Sequence, residues 1–572
     1  MILSLNNFSL SYLSDDIFSR VVDNVSFTVE KGKTLGIVGE SGSGKTVTAL
    51  SLIRLLDYPP ARIDSGSAIL YDDEGKSVDL LSIDEKKLFK FRGRRISCIF
   101  QTPMTSLNPT IRCGHQVTEA ILTHKKCTKK EARTEAIRLF EEVDLPRPEN
   151  IFKSFPHQIS GGQRQRVMIA MAIACKPDIL IADEPTTALD VSVQKTIIDL
   201  LRSLQNRYNM SIIFISHNLS VIRQIADFVV VMNKGKIIET NTVQEIFENP
   251  RQPYTMGLIA CKPPLKYRLK YLPTVEEIQS LSKKDENFDV TEHIKKLIIS
   301  ERGNDIDKVK SKADKILSVK DLTVCYSKKQ NLFGVTTEYL KAVDDVSFDI
   351  LRGETLGILG ESGCGKSTIA RAITGLVVPT SGKIFLGGLN ILEMKGKNRR
   401  EYCRQLQMVF QDPYSSLNPH KTVGQALMEP LEIFKIYDTR EQRRERVSYL
   451  LDKVGMLASD FDKYPHEFSG GQRQRVCIAR ALTMEPNLLI CDEPVSSLDV
   501  SVQAKVLNLL QQLKEDFNLS MLFISHDISV IHHISDRVIV MKNGTIIEED
   551  CPFNIINFPQ KEYTRQLIEA AL

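Results

Sequence analysis

Gly39-Glu40-Ser41-Gly42-Ser43-Gly44-Lys45-Thr46 decides the reading of this chain, and the chain carries it twice. The second copy is Gly360-Glu361-Ser362-Gly363-Cys364-Gly365-Lys366-Ser367. Both fit G-x-x-x-x-G-K-[ST], a phosphate-binding loop. Each follows an apolar run, Leu35–Val38 or Leu356–Leu359, and precedes a helix-like stretch, Val47–Leu56 or Thr368–Leu376. That is the strand–loop–helix setting the motif requires. Glycines at 39, 42 and 44, and at 360, 363 and 365, let the backbone curl with its N–H groups turned inward on phosphate oxygens. Ser41 and Ser362 belong to the same cradle. The helix N-terminus adds positive potential. Lys45 and Lys366 would reach the terminal phosphates, and the hydroxyls of Thr46 and Ser367 would face Mg²⁺.

The repeat extends well past these loops. Ser160-Gly-Gly-Gln-Arg-Gln-Arg-Val167 returns as Ser469-Gly-Gly-Gln-Arg-Gln-Arg-Val476. Asp183-Glu184-Pro185 returns as Asp492-Glu493-Pro494, and Ser216-His217 as Ser525-His526. The offset is 309 residues in all three cases, against 321 from Lys45 to Lys366. The first half is longer only early on: Gln101 lies 56 residues after Lys45, but Gln411 lies 45 after Lys366. The extra length falls near Tyr71–Lys90, a polar, surface-like stretch. A period this long marks a duplicated domain, not a solenoid.

In each half, apolar strands alternate with helical patterns, which implies a mostly parallel sheet covered by helices. Residues 1–33 read as short alternating strands. Ile96–Phe100, Ile179–Ala182 and Ile212–Ile215 read as core strands, as do Gln407–Phe410, Leu488–Cys491 and Met521–Ile524. Regions near 114–145 and 423–457 carry helical spacing. Phe228–Met232 and Val538–Met541 lead into hairpins. Between the halves, Pro263-Pro264, Pro273 and mixed charge argue for a linker with one or two short helices. The domains expected are therefore 1–261 and 315–572, joined by 262–314.

Composition narrows the function class. Of 572 residues, 42% are apolar and 26% charged, ordinary for a soluble globular protein. The net charge of +4 gives no electrostatic case for nucleic acid. No window approaches the about 20 apolar residues needed to span a bilayer. The first residues lack the basic and apolar regions of a signal peptide. The 11 cysteines are scattered without a C-x-x-C pair and read as reduced cytosolic thiols.

Asp183 and Asp492 each end an apolar strand, where a carboxylate can hold Mg²⁺ opposite Thr46 or Ser367. Glu184 and Glu493 follow directly, placed to polarise an attacking water. Gln101 and Gln411 sit where a strand leaves the core. His217 and His526 each follow that Asp by 34 residues and read as γ-phosphate sensors. The paired glycines of Ser160-Gly161-Gly162 and Ser469-Gly470-Gly471 expose N–H groups at helix starts, a second anion site. Each lies more than 100 residues beyond the phosphate loop of its own half.

Together these motifs resemble the nucleotide-binding domains of ATP-binding-cassette proteins, duplicated in one chain. The resemblance covers about 520 of the 572 residues. It implies two tandem α/β P-loop domains, each with a mostly parallel core sheet, an antiparallel β subdomain and a helical subdomain. In that family two domains close head to tail on two ATP molecules. Carried over, one site joins Lys45, Thr46, Gln101, Asp183, Glu184 and His217 to Ser469, Gly470 and Gly471. The other joins Lys366, Ser367, Gln411, Asp492, Glu493 and His526 to Ser160, Gly161 and Gly162. The metal would be held by Thr46, Asp183 and Gln101, and by Ser367, Asp492 and Gln411. Tyr12 and Tyr326 fall where family members stack an aromatic on adenine. With no position degenerate, both sites are expected to hydrolyse ATP.

Gln101-Thr-Pro-Met-Thr-Ser-Leu-Asn-Pro109 and Gln411-Asp-Pro-Tyr-Ser-Ser-Leu-Asn-Pro419 resemble the oligopeptide/dipeptide/nickel importer ATPases. Thr102 departs from the usual Asp. The resemblance implies an ATPase at the cytoplasmic face of the inner membrane. It would energise two permease subunits docked near 101–109 and 411–419, served by an external solute-binding protein. The tails hold only Cys261 and Cys551, so no iron–sulfur role is carried over. The competing reading is a soluble duplicated cassette ATPase acting on ribosomes or nucleic acid. Such relatives have a longer, helical, basic interdomain arm, whereas this linker is broken by prolines and mixed in charge.

Overall fold

Two apolar pentads, Thr34–Val38 and Thr355–Leu359, are buried at every residue and become inner strands of two six-stranded sheets. Burial of alternate residues alike means that both sheet faces are covered. The computed structural model describes all residues except 15, 73, 102–105, 187–189, 286–287, 300–313, 331–335, 395 and 572. The chain divides into two compact units: 1–189 with 193–259 and 275–288, and 190–192 with 260–274 and 289–572.

In the first unit the sheet order is Lys236–Thr242, Phe228–Asn233, Thr34–Val38, Ser211–Ile215, Ile179–Asp183, Ile96–Ile99. All neighbours are parallel except the outer hairpin. That hairpin turns at Lys234 (φ 46°) and Gly235 (φ 77°), both left-handed, which matches the twist of the strands. The second unit repeats the order: Thr545–Asp550, Arg537–Lys542, Thr355–Leu359, Ser520–Ser525, Leu488–Asp492, Leu406–Val409.

Each unit adds an antiparallel sheet. In the first, Leu3–Ser14 lies between Ile17–Val29 and Ala61–Tyr71. These strands run 11 to 13 residues, longer than the short strands expected. Register shifts near Leu5/Phe8 and Phe8/Leu10 interrupt the alternation, with Asn7 and Asn24 at positive φ. Each bulge resets the side-chain period, so one long strand reads as several short ones. The core fills the space between the two sheets: Leu3, Phe8 and Val22 from one meet Ile37, Ile181 and Ile215 from the other. In the second unit Lys315–Gln330 plays the central role, between Thr336–Leu351 and Ser381–Leu386.

The expected helical regions resolve into Cys113–His124 and Lys129–Glu142, and into Val423–Ile433 and Arg440–Lys453. Thr128, Thr422 and Thr439 each start a helix with a reciprocal capping box. The extra stretch of the first half is less peripheral than its polarity suggests. It forms the strand Ser77–Asp79 and the helix Glu85–Leu88, and fully buries Leu80 and Leu88.

Part of the stretch between the halves is structured. The helix Val275–Lys284 belongs to the first unit, where Val275 Cα would lie 2.9 Å from any Cβ at Gly257. Residues 260–274 belong to the second unit. There Leu272 trades two 2.8 Å hydrogen bonds with the Asn508 amide, and Arg268 Nη1 donates to the Ser535 carbonyl at 3.1 Å.

Candidate active sites

The sheet order brings the motifs together in each unit. The phosphate loop leaves the end of Thr34–Val38, and His217 follows the adjacent Ser211–Ile215. Glu184 follows the next strand, Ile179–Asp183, and Gln101 follows Ile96–Ile99 beyond it. Four neighbouring carboxyl ends thus face one crevice edge, the place where open α/β sheets bind ligands.

Each loop ends in a left-handed glycine. Gly44 (φ 93°) and Gly365 (φ 108°) are the N-caps of Lys45–Ser51 and Lys366–Ile373. At Gly365 a Cβ would sit 2.3 Å from the Ala342 carbonyl oxygen, so only glycine fits. Lys45 is 5% exposed, and its Nζ donates to the carbonyls of Gly39 and Glu40 at 2.9 and 2.8 Å. Lys366 does the same to Gly360 and Glu361 at 2.7 and 2.9 Å. Lys45 also reaches Ser43 Oγ at 3.4 Å and Lys366 lies 4.0 Å from Glu493 Oε1, so each buried ammonium sits where an anion could take over its neutral carbonyl partners.

Thr46 Oγ1 donates to Asp183 Oδ1 at 3.0 Å, and Ser367 Oγ to Asp492 Oδ1 at 2.9 Å. Burial pushes the Asp183 carboxyl up to about 6, against the opposing hydrogen bond from Thr46. Burial likewise raises Asp492. A cation beside either would restore the carboxylate. The converging atoms are all oxygens, the hard donor set that suits Mg²⁺.

Gln101 Nε2 donates to Glu184 Oε2 at 2.9 Å, and His217 Nδ1 lies 3.0 Å from Glu184 Oε1. In the second unit the same residues meet but share one oxygen: Gln411 Nε2 donates to Glu493 Oε2 at 3.0 Å, His526 Nδ1 lies 3.2 Å from that same oxygen, and Oε1 lies 4.0 Å from Lys366 Nζ. Burial would raise Glu493, but His526 and Lys366 outweigh it and hold the carboxyl below its usual range. The same contact raises His526 despite its burial. Both glutamates stand at left-handed φ, 46° and 47°, with their N–H donating to Ile215 and Ile524. That kink aims the carboxylate sideways toward Gln and His.

Ser160 and Ser469 are N-caps of Gly161–Ile173 and Gly470–Leu482, each closing a capping box with Gln163 or Gln472. Their paired glycines differ. A Cβ on Gly471 would lie 2.2 Å from Val502 Cγ1, whereas one on Gly470 would come no nearer than 3.8 Å to Leu498. Gly162 faces Val193 at 3.2 Å, and among the described residues Gly161 faces only Arg164 at 3.9 Å. The second glycine serves packing in its own unit, and the first does not need to be glycine for that purpose.

Not every expected residue joins these clusters. Tyr12 is half-buried against the core and Tyr326 is exposed. Among the described residues, neither makes a side-chain hydrogen bond or ring contact with a phosphate loop. Thr102–Thr105, and Ala188-Leu189 of the Ala188-Leu189-Asp190 stretch that the family resemblance also takes in, lie outside the described residues. Two tyrosines that motif reading passed over do touch the loops. The Glu40 N–H donates to Tyr254 Oη and the Glu361 N–H to Tyr563 Oη, each at 3.3 Å. The available signal was their recurrence at the same 309-residue offset.

Comparison with known proteins agrees with this geometry. Residues 22–187 and 343–496 match the family described as ABC transporter. Residues 238–287 match the oligopeptide/dipeptide transporter C-terminal region. The glutathione import ATP-binding protein GsiA of Pectobacterium atrosepticum is 42% identical over 570 residues, covering 100% of this chain and 89% of that protein. The GsiA of Escherichia coli K12 is 41% identical over the same span. Among solved structures, a dimeric ATP-binding cassette in a post-hydrolysis state with ADP and Pi is 29% identical, covering 41% of this chain and 98% of its own, at a TM-score of 0.38. No described helix is long and apolar enough to cross a membrane. With the family matching both halves and relatives aligned along the whole length, the chain belongs to the ABC transporters and carries two of their ATP-binding cassettes.

Proposed function

We propose that this chain hydrolyses ATP to drive import of glutathione or similarly short peptides through separate permease subunits. The observation that carries the reading is the Gln–Glu–His cluster at three adjacent strand ends, beside the phosphate loop on a fourth, in each unit. Glu184 and Glu493 orient and deprotonate the attacking water. Gln101 and Gln411 position those carboxylates, and His217 and His526 face the γ-phosphate. Thr46, Asp183 and Gln101 would hold Mg²⁺ in one half, and Ser367, Asp492 and Gln411 in the other. When bound, the ion offsets phosphate charge. The family resemblance pairs each phosphate loop with the Ser-Gly-Gly stretch of the other half. The first glycines, 161 and 470, support that pairing, because among the described residues an added Cβ would meet nothing nearer than 3.8 Å.

The two domains proposed remain 1–261 and 315–572, joined by 262–314. Permease docking is assigned to the stretches after each glutamine. In the second unit, a cleft of about 400 Å³ beside that stretch is lined by Met408, Phe410, Pro430 and the exposed Ile433. The short helix Pro413–Ser416 follows Gln411, with Tyr414 exposed beneath the Arg473 guanidinium. An apolar cleft rimmed by such residues suits a short helix of a membrane partner. The full-length likeness to glutathione import proteins and the match at 238–287 favour this reading over a ribosomal or nucleic-acid role. The place proposed is the cytoplasmic face of the inner membrane.

The test is native-level fractionation joined to uptake. The tagged chain should be recovered in membranes with two polytopic proteins. Cells lacking it should lose uptake of labelled glutathione or of dipeptides. Recovery with ribosomes and unchanged uptake of both solutes would overturn the proposal.

A further inference from the structure

We propose that Tyr254 and Tyr563 are positioning residues for nucleotide binding, each phenol pinning the N–H at which the phosphate loop leaves its strand. The inference rests on the reading of these loops as nucleotide sites. It adds two residues that the sequence reading did not single out, Tyr254 lying within the matched C-terminal region 238–287.

The same assembly is built twice. Tyr254 lies in the helix Pro253–Ala260 and Tyr563 in Glu562–Ala571, 3% and 8% exposed. Each helix is anchored at its start by a carboxylate from the edge strand of the core sheet. Glu239 accepts from the N–H groups of Arg251 and Gln252 at 2.8 and 3.2 Å. Glu548 accepts from those of Gln560 and Lys561 at 2.8 and 3.3 Å, and from Thr564 Oγ1 at 2.5 Å. The tyrosine is therefore held by the sheet that also carries the loop. Lys542 Nζ sits 4.5 Å over the Tyr563 ring. Burial pushes the Tyr563 phenol up, so it stays a neutral hydroxyl at physiological pH.

The contact falls on the second residue of the loop. Glu40 is held from both sides: its N–H by Tyr254, its carbonyl by Lys45 Nζ at 2.8 Å. Glu361 is held likewise by Tyr563 and by Lys366 at 2.9 Å. Phosphate binding recruits the lysine's donors, which loosens its hold on those carbonyls. The tyrosine hydrogen bond does not compete with phosphate, because the N–H it accepts is already spent on the phenol. Its share in ordering the loop is then larger with nucleotide bound than without. A hydroxyl that matters more in the bound state acts on affinity, not on folding.

Tyr254→Phe, Tyr563→Phe and the double variant keep the buried ring and remove only the hydroxyl. Binding of ADP and of a non-hydrolysable ATP analogue would be measured on the full chain, beside steady-state ATPase and thermal unfolding. The expected result in the double variant is affinity weakened about 3- to 10-fold, the reach of one ordinary hydrogen bond. KM for ATP should rise by a similar factor, with kcat shifting less than about twofold, and Tm unchanged. Unchanged affinity and KM would overturn the inference, as would a drop in Tm with affinity preserved. The Lys45→Ala, Lys366→Ala double variant separates the two readings. If it still binds nucleotide, the loops are not the site. If it loses binding while the phenylalanine variants keep full affinity, only the tyrosine role fails.

Discussion

At the scale of single residues, the two glycines after Ser469 carry different burdens, and substitution separates them. Gly471 meets the flank of Val502, where an added Cβ would lie 2.2 Å away. Valine cannot fold away cheaply, because its branch is fixed at Cβ. Gly471→Ala should therefore destabilise the second unit by about 1–3 kcal/mol, read as a lower urea midpoint. Gly470 has open space and a helical position, so alanine there should hold or raise stability by up to about 1 kcal/mol. If Gly470 is small to admit nucleotide, Gly470→Ala should lower ATP turnover with the fold intact. Equal unfolding midpoints for the two variants would sink the distinction. Motif reading had named both glycines as anion-site residues. Sequence alone could not divide them, because a steric neighbour 31 positions away leaves no local mark.

At the scale of elements, the helix Ile528–Ile534 follows His526 and buries two histidines, His532 and His533. His532 Nδ1 lies 3.2 Å from the Pro264 carbonyl oxygen. Neither ring nitrogen of His533 has a hydrogen-bond partner among the described residues. Burial first, then the charges of Arg268 and His532, push the His533 imidazole down to about 3. The unfolded chain takes up this proton near pH 6.5, but the native state refuses it until about 3. Stability is thus present above pH 6.5 and is lost as pH falls through that window, by about 1.4 kcal/mol per unit. His533→Phe removes the proton site and keeps a planar ring. Between pH 7 and 5, unfolding free energy from urea titration should fall about 2 kcal/mol less in the variant than in the natural chain. Equal losses would refute the assignment. The core strands around this helix were legible because a parallel strand must be apolar on both faces. Helix starts were less so: Lys45–Ser51 begins two residues before the expected Val47. Its cap is a left-handed glycine, which hydrophobic spacing does not register.

At the scale of the whole chain, the duplicated halves each carry the full set of motif residues. Glutamine, glutamate, histidine, lysine, hydroxyl and aspartate recur with matching partners, and the paired distances differ by no more than about 0.2 Å. That these residues gather was readable in the sequence, because each group follows a short apolar strand and parallel sheet order brings strand ends together by rule. The stretch between the halves was readable in part, since the short helices expected there are Val275–Lys284 and Val290–Leu297. Pro263-Pro264 and Pro273 read as linker, yet residues 260–274 fold into the second unit through the Asn508 amide and Arg268. Such pairing depends on a surface formed only after folding. Geometry so nearly equal argues against one active and one idle half. Glu184→Gln and Glu493→Gln should each cut ATP turnover strongly, and to similar extents. The double variant should lose at least about 100-fold, the lower end of general-base catalysis. Glutamine keeps the size and one acceptor of the carboxylate, so ATP should still bind. Turnover assays beside equilibrium ATP binding decide the matter. A double variant that hydrolyses at nearly the natural rate would remove the proposed base. One single variant with full activity beside another with none would mean that near-identical geometry conceals unequal halves.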